Sequence, residues 1–190
     1  MPAALEDVPS DAMTAIFQAN LIGWHELNRQ VLPMMRAQGH GRIVMCSSVL
    51  GFVATRWRGA YVSTKFALEG YADTLRMEMR GGPVHVSLLQ PGPIESRFRA
   101  NAALRFERWI DWENSPNADK YRNYLLKRLY EAPSKDRFEL PASAVTEKLI
   151  HAIESDRPRA RYRITVPTRF IAAARRVLPL WALDRILMRA

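Results

Sequence analysis

Apolar residues recur at helical spacing from Ser10 to about Gln38. They fall on Met13, Ile16, Phe17, Leu21, Leu27, Val31, Leu32 and Met35, the stripe that one helix face buries. Ser10 supplies a capping hydroxyl and Asp11 a first-turn charge. Pro33 predicts a kink or end in the last turns, and Gly39 and Gly41 predict the stop. The pattern then changes to a short continuous apolar run, Arg42-Ile43-Val44-Met45-Cys46-Ser47, which reads as a strand covered on both faces. A loop from Gly51 to Gly59 leads into a second long helix, about Ala60 to Arg80, with Phe66, Leu68, Tyr71, Leu75 and Met79 on its apolar face. Gly81-Gly82-Pro83 ends it. Val84-His85-Val86-Ser87-Leu88-Leu89 is a second strand, stopped by Pro91-Gly92-Pro93.

Residues 97–140 are rich in charge and aromatics and predict two short helices, roughly 98–112 and 117–131. A further helix is predicted from Pro141 to about Ser155, and a third strand over Tyr162–Val166, ended by Pro167. The tail from about Thr168 to Arg189 reads as helical, with a break near Pro179. Strands alternating with helices, and apolar throughout, imply an α/β fold with a parallel sheet. Right-handed crossovers put the helices at 10–38 and 60–80 on one face. Ligands in such sheets bind beyond the carboxyl ends of the strands, where Ser47-Ser48 and Pro91-Gly92 both fall.

Composition narrows the class. The 190 residues are 48% hydrophobic and 25% charged, which suits a single domain with its own core. One cysteine, Cys46, excludes an internal disulfide and points to a reducing, cytoplasmic setting. Its apolar neighbours predict a buried structural thiol rather than a nucleophile. His85 reads as a surface or packed strand residue. The net charge of +9 admits nucleic acid or an anionic membrane as partners. No zinc spacing, RNA-binding signature or compact basic run supports nucleic acid, and a basic surface with a site for an anionic cofactor accounts for the charge. No apolar run reaches the roughly 18 residues of a membrane span, and the start lacks the pattern of a secretory signal.

The candidate chemistry lies between the first strand and the second long helix. Tyr61 and Lys65 stand four apart and share a helix face. An ammonium beside a phenol favours the phenolate and is expected to lower its pKa, which suits proton transfer with a substrate oxygen. Ser48, at the end of the strand feeding this helix, can hydrogen-bond the same oxygen. A Tyr-x-x-x-Lys pair alone arises often by chance. The strand-terminal serines and Gly51 ahead of it give it context.

The stretch from Arg42-Ile43-Val44 through Ser47-Ser48 and Gly51 to Tyr61-Val62-Ser63-Thr64-Lys65-Phe66-Ala67-Leu68-Glu69-Gly70 resembles the active-site block of the short-chain dehydrogenase/reductase family. Ser48 and Tyr61 stand 13 positions apart, the family's usual spacing. Leu75-Arg76-Met77-Glu78 and Pro91-Gly92-Pro93-Ile94-Glu95-Ser96 resemble two further motifs, with Ser96 where threonine is common. Asn20 matches the family's helix asparagine. The resemblance covers roughly residues 10–100 strongly and 140–190 loosely.

It implies an NAD(P)-dependent oxidoreductase moving hydride between a nicotinamide, NAD or NADP, and an alcohol or ketone. Tyr61 would be the general acid/base and Lys65 would hold the nicotinamide ribose. Ser48 would hold the substrate oxygen, and Asn20 would anchor a water in a relay to Lys65, unless it is simply a polar residue satisfied within its helix. Pro91, Gly92, Ile94 and Ser96 would line the carboxamide. The helices at 10–38 and 60–80 would form the face of a homo-oligomer. No metal enters this chemistry.

The family's opening strand, glycine-rich turn and helix have no counterpart: none of the nine glycines forms Gly-x-x-x-Gly-x-Gly. The chain is therefore expected to be the carboxyl-terminal part of a Rossmann-type doubly wound sheet, with about three strands, an insertion at about 97–140 and a helical tail at about 168–190. The first strand would present an exposed edge. Alone, these residues are expected to bind dinucleotide poorly. The insertion stands where the family has its substrate lid. Trp109, Trp112, Tyr121 and Tyr124 either wall a lipophilic site of steroid, retinoid or fatty type or pack short helices onto the sheet. The arginine-bearing apolar tail either packs or lies on an anionic membrane surface. Two other readings stand beside the enzyme: a non-catalytic fragment that dimerises through the two long helices, and a basic membrane-surface protein.

Overall fold

The computed structural model describes residues 1–131 and 138–188. Residues 132–137 of the predicted insertion and 189–190 of the predicted tail lie outside the described residues. Three strands, β1 (Gly41–Cys46), β2 (Val84–Gln90) and β3 (Arg161–Arg163), form a parallel sheet in the order β1-β2-β3. The register pairs Ile43 with Val86 and Cys46 with Leu89. The edge of β1 away from β2 carries no strand among the described residues, as predicted.

Helices α2 (Gly23–Ala37) and α3 (Gly59–Glu78) cover one face, and α1 (Ser10–Phe17) packs on α3. Ile43, Met45, Val84, Val86 and Leu88 of the sheet close on Leu68, Ala72 and Leu75 of α3 and on Met79 just past its end, with Leu21, Trp24, Leu32 and Met35 at the rim. Met45 and Leu68 are fully buried, and each such side chain stabilises the fold by about 1.5–3 kcal/mol. The other face meets α6 (Ser143–Glu154) through Leu89, Ala152, Tyr162 and Ile164. Cys46 ends β1 beyond that cover and is exposed, not the buried thiol that its neighbours suggest. His85 is a surface residue.

Two proline readings change. The predicted first helix continues through Pro33, but its middle is a π-helical stretch, Gln18–Ile22, that contains Asn20. The third strand is shorter than predicted because Thr165 leaves the sheet to cap α7 (Val166–Val177), its hydroxyl accepting from the Thr168 N–H. Pro167, in the first turn of α7, therefore opens a helix where it was expected to close a strand. After Pro179, α8 (Leu180–Leu187) follows.

The segment after β2 forms α4 (Phe98–Trp109), then α5 (Ala118–Lys120), which runs on into π-helical stretches at Tyr121–Leu125 and Lys127–Glu131. It closes over Phe106, Ile110, Tyr121 and Leu125. Tyr121 is fully buried while Tyr124 is 71% exposed, so these aromatics form no single wall. The first residues complete this second core. The Ala3 N–H donates to the Trp57 carbonyl oxygen at 2.8 Å, and the Tyr121 hydroxyl accepts from the Ala4 N–H and donates to Asp7 at 2.6 Å. Trp57 holds φ at +65°, a costly conformation for a bulky residue, and its ring meets that of Tyr121 at a tilt, 5.2 Å between centres. Among the described residues no helix is long and apolar enough to cross a membrane.

Candidate active site

The carboxyl ends of β1 and β2 run side by side into the site. The Ser47 N–H donates to the Leu89 carbonyl oxygen and the Val49 N–H to that of Pro91, both at 2.8 Å. Ser48 is extended and its hydroxyl accepts from the Leu50 N–H at 3.1 Å, capping a short 3-10 turn, Val49–Gly51. A Cβ on Gly51 would fall 2.5 Å from Ser47 Oγ and 2.9 Å from Glu69 Cγ. Only glycine lets this turn press onto α3.

Helix α3 presents Tyr61 and Lys65 one turn apart. Lys65 Nζ donates to the Cys46 carbonyl oxygen at 2.8 Å and lies 5.5 Å from the centre of the Tyr61 ring. It is 8% exposed and reaches through the fold to do so. Phe98 meets Tyr61 edge-on at 5.3 Å, and the Arg58 guanidinium lies 5.9 Å from the Phe98 ring.

Burial pushes the Tyr61 phenol up to about 12. A hydrogen bond with the Ser48 side chain opposes the rise, charge at Cys46 adds to it, and Arg58 favours the phenolate. The direction is opposite to the lowering expected from Lys65: its ammonium lies over the Tyr61 ring but is bound to the Cys46 carbonyl oxygen, and desolvation of the phenol dominates. Burial also lowers the Lys65 pKa, against the raising effect of Cys46 and Glu69.

Asn20 reaches the same helix. Its Nδ2 donates to Thr64 Oγ1 at 3.0 Å, and that hydroxyl donates to the Tyr61 carbonyl oxygen at 2.8 Å. The asparagine thus touches the turn between Tyr61 and Lys65 from a π-helical stretch, a feature frequent at functional sites. In the turn after β2, a Cβ on Gly92 would strike Thr165 Oγ1 and Thr168 Oγ1, the latter at 2.6 Å. Both threonines are fully buried, so the Pro91-Gly92 backbone lies directly on the start of α7. Ile94 bridges to Leu140, and the exposed Ser96 accepts from the Phe98 N–H at 3.4 Å. Ser48, Tyr61, Lys65 and Pro91-Gly92 therefore meet at one sheet edge, with Asn20 behind α3 and Ser96 at the mouth of α4.

Sequence reasoning missed a buried clamp under this edge. Gln90 Nε2 donates to both Glu69 carboxylate oxygens, at 2.9 and 3.0 Å. Arg161 of β3 reaches Glu69 at 3.1 Å and Asp73 at 2.5 Å. The clamp ties α3, one turn past Lys65, to the last residue of β2 and to β3. The i+4 spacing of Lys65, Glu69 and Asp73 was readable, but the partners were not. Arg58 and Phe98 were also missed, and only the position of Arg58, three residues before Tyr61, could have drawn notice.

Residues 1–105 match the family described as short chain dehydrogenase. The chain is 38% identical over 188 residues to the uncharacterized oxidoreductase YbbO of Escherichia coli (strain K12), covering 98% of this chain and 63% of that protein. It is 28% identical over 166 residues to retinol dehydrogenase 8 of Homo sapiens, covering 85% of this chain and 52% of that one. A short chain dehydrogenase/reductase from Burkholderia phymatum in complex with NAD superposes with a TM-score of 0.70 at 21% identity, over 93% of this chain and 63% of that one. A short chain dehydrogenase from Burkholderia cenocepacia J2315 in complex with NADP gives 0.68 at 19%, over 98% and 65%. The chain belongs to the short-chain dehydrogenase/reductase family, and its three-stranded parallel sheet with helices on both faces is part of that Rossmann-type fold. It spans about half to two thirds of the length of the curated relatives it matches, from 52% to 63% in the two named.

Proposed function

We propose that these residues carry the nicotinamide and proton-transfer half of an NAD(P)-dependent oxidoreductase that interconverts a lipophilic alcohol and its ketone. The observation that carries the reading is the meeting of Ser48, Tyr61 and Lys65 beside the Pro91-Gly92 turn at one sheet edge. The donor set suits a nicotinamide riboside. Lys65 is buried and gives one of its three N–H donors to Cys46, leaving two for ribose hydroxyls. The Pro91-Gly92 turn offers backbone groups beside a surface buried by Thr165 and Thr168.

The dinucleotide, NAD or NADP, would supply hydride. Tyr61 gives the proton to the substrate oxygen as the carbonyl is reduced, or takes it back in the reverse direction. Ser48 orients that oxygen. Asn20, through Thr64, steadies the turn of α3 that holds both groups, and in this reading anchors a water in a relay to Lys65. Pro91, Gly92, Ile94 and Ser96 line the carboxamide end.

Phe98 beside Tyr61 supports an apolar substrate, as do relatives named retinol dehydrogenase 8 and 17-beta-hydroxysteroid dehydrogenase type 1. Leu27, Met34 and Met77, 51%, 67% and 60% exposed on α2 and α3, support self-association through those helices. The adenosine end of the cofactor needs residues beyond these 190, so this chain by itself turns over little.

An assay of NADH and NADPH oxidation with a panel of steroid, retinoid and fatty ketones tests the reading in a form long enough to seat the whole dinucleotide. Turnover of at least one class is expected, with small water-soluble ketones poorer. No turnover with any carbonyl, in protein shown to bind the cofactor, overturns it.

A further inference from the structure

The last two helices carry a surface that neither the sheet nor the Tyr61 site uses. Helix α7 packs inward through Thr168 and Ala172, and α8 through Leu183 and Leu187, which close on Val53. The opposite side is apolar and open. Val166, Phe170, Val177, Leu180 and Trp181 are 66%, 62%, 82%, 73% and 67% exposed. With Ala173 between Phe170 and Val177, their spacing makes one stripe along α7 that continues onto α8 across the break at Pro179. Single exposed apolar residues are ordinary on a protein surface, but a row of large ones marks a contact site.

Charge identifies what covers the stripe. Helices α7 and α8 hold four arginines (Arg169, Arg175, Arg176 and Arg185) against one acid, Asp184. Among the described residues none of the four is in an ion pair. Arg185 lies over the Trp181 ring at 5.9 Å, so that cation sits against the stripe, whereas Arg175 turns the other way, over the Phe66 ring of α3 at 5.5 Å. A second copy docking on this face would set arginines against arginines. An acidic bilayer surface meets both features together: acyl chains take the apolar stripe, and phosphates take the guanidinium groups that flank it.

We propose that α7 and α8 lie in the plane of an anionic lipid surface, with Phe170, Val177, Leu180 and Trp181 in the acyl boundary and Arg169, Arg176 and Arg185 among the phosphates. The contact goes beyond the reaction at Tyr61 and stands whether or not that reaction occurs.

Cosedimentation of the 190-residue chain with vesicles tests it, using phosphatidylcholine alone and phosphatidylcholine mixed with phosphatidylglycerol. Binding is expected to the mixed vesicles, to fall as salt rises, and to be lost on pure phosphatidylcholine. Arg176→Gln should weaken it about fivefold. The pair Phe170→Ser with Trp181→Ser should weaken it about tenfold or more. Both residues are exposed, so an unchanged circular dichroism spectrum is expected and checks that the pair is folded. Failure to bind phosphatidylglycerol vesicles overturns the proposal. So does a serine pair that binds as tightly as the parent, since net charge alone would then explain the contact. Self-association without lipid that the serine pair abolishes also overturns it, by making a second copy the occupant.

Discussion

Replacing Tyr61 by phenylalanine is expected to lower ketone reduction by about 10²–10⁴-fold, the usual worth of a positioned acid. The variant removes one oxygen and leaves the ring packed edge-on against Phe98 and under Lys65. Cofactor affinity should therefore hold, and the loss should fall on turnover rather than on binding. The pH dependence adds a second readout. A phenol pushed up to about 12 by burial stays protonated through neutral pH, the state that donates to an incoming alkoxide. Reduction should be flat around neutrality and fall only as the pH approaches the phenol's own pKa. Alcohol oxidation needs the phenolate and should rise with pH over the same range. Steady-state kinetics in both directions, in a form of the protein that turns over, checks this. A phenylalanine variant within a few-fold of the parent would remove Tyr61 from the chemistry.

Arg161→Met should cost about 2–3 kcal/mol of stability, measured as a lower denaturation midpoint at unchanged slope. The arginine joins Glu69 and Asp73, and Glu69 is almost buried, with its side chain 11% exposed. Among the described residues, removing the cation leaves that carboxylate hydrogen-bonded by Gln90, with the Lys65 ammonium acting on it from farther off. The estimate sits below that for a fully buried pair because Arg161 keeps 28% of its side chain in water. Adding Glu69→Gln to Arg161→Met removes the stranded charge and should restore part of the loss. A single variant as stable as the parent would show that the clamp contributes nothing. Because Glu69 lies one turn past Lys65 and Gln90 directly precedes Pro91, loosening the clamp should also shift the two halves of the site apart.

How much of this was legible in the sequence depends on distance along the chain. Tyr61 and Lys65 could be paired from helical spacing alone, and Ser48 and Pro91-Gly92 from the rule that parallel strands deliver residues to their carboxyl ends. Sheet direction and the core of α3 at Leu68 and Leu75 followed from periodicity for the same reason, but Leu27 and Phe66, which spacing put on the buried faces, are 51% and 37% exposed. What failed required a partner remote in sequence. Cys46 looked buried because its neighbours are apolar, yet burial there depends on how far α6 extends. Tyr121 and Tyr124 look alike in sequence, but the segment Ala3–Asp7 folds back to bond only one of them. The phenol's raised pKa escaped the i+4 argument because that argument counts the ammonium and not the water lost around the ring. Pro167 was misread since proline stops a strand and opens a helix equally well; the Thr165 cap decides between them.

The central claim is that these 190 residues hold the nicotinamide end of the cofactor site and not the adenosine end. Amide chemical-shift mapping of the isotope-labelled chain, titrated in parallel with nicotinamide mononucleotide and with adenosine monophosphate at millimolar concentration, tests it most directly. The account predicts that the nicotinamide half shifts the amides of Ser48, Tyr61, Lys65, Gly92 and Ile94, while the adenosine half leaves them in place. Equal shifts from both, or none from the nicotinamide half, would contradict it.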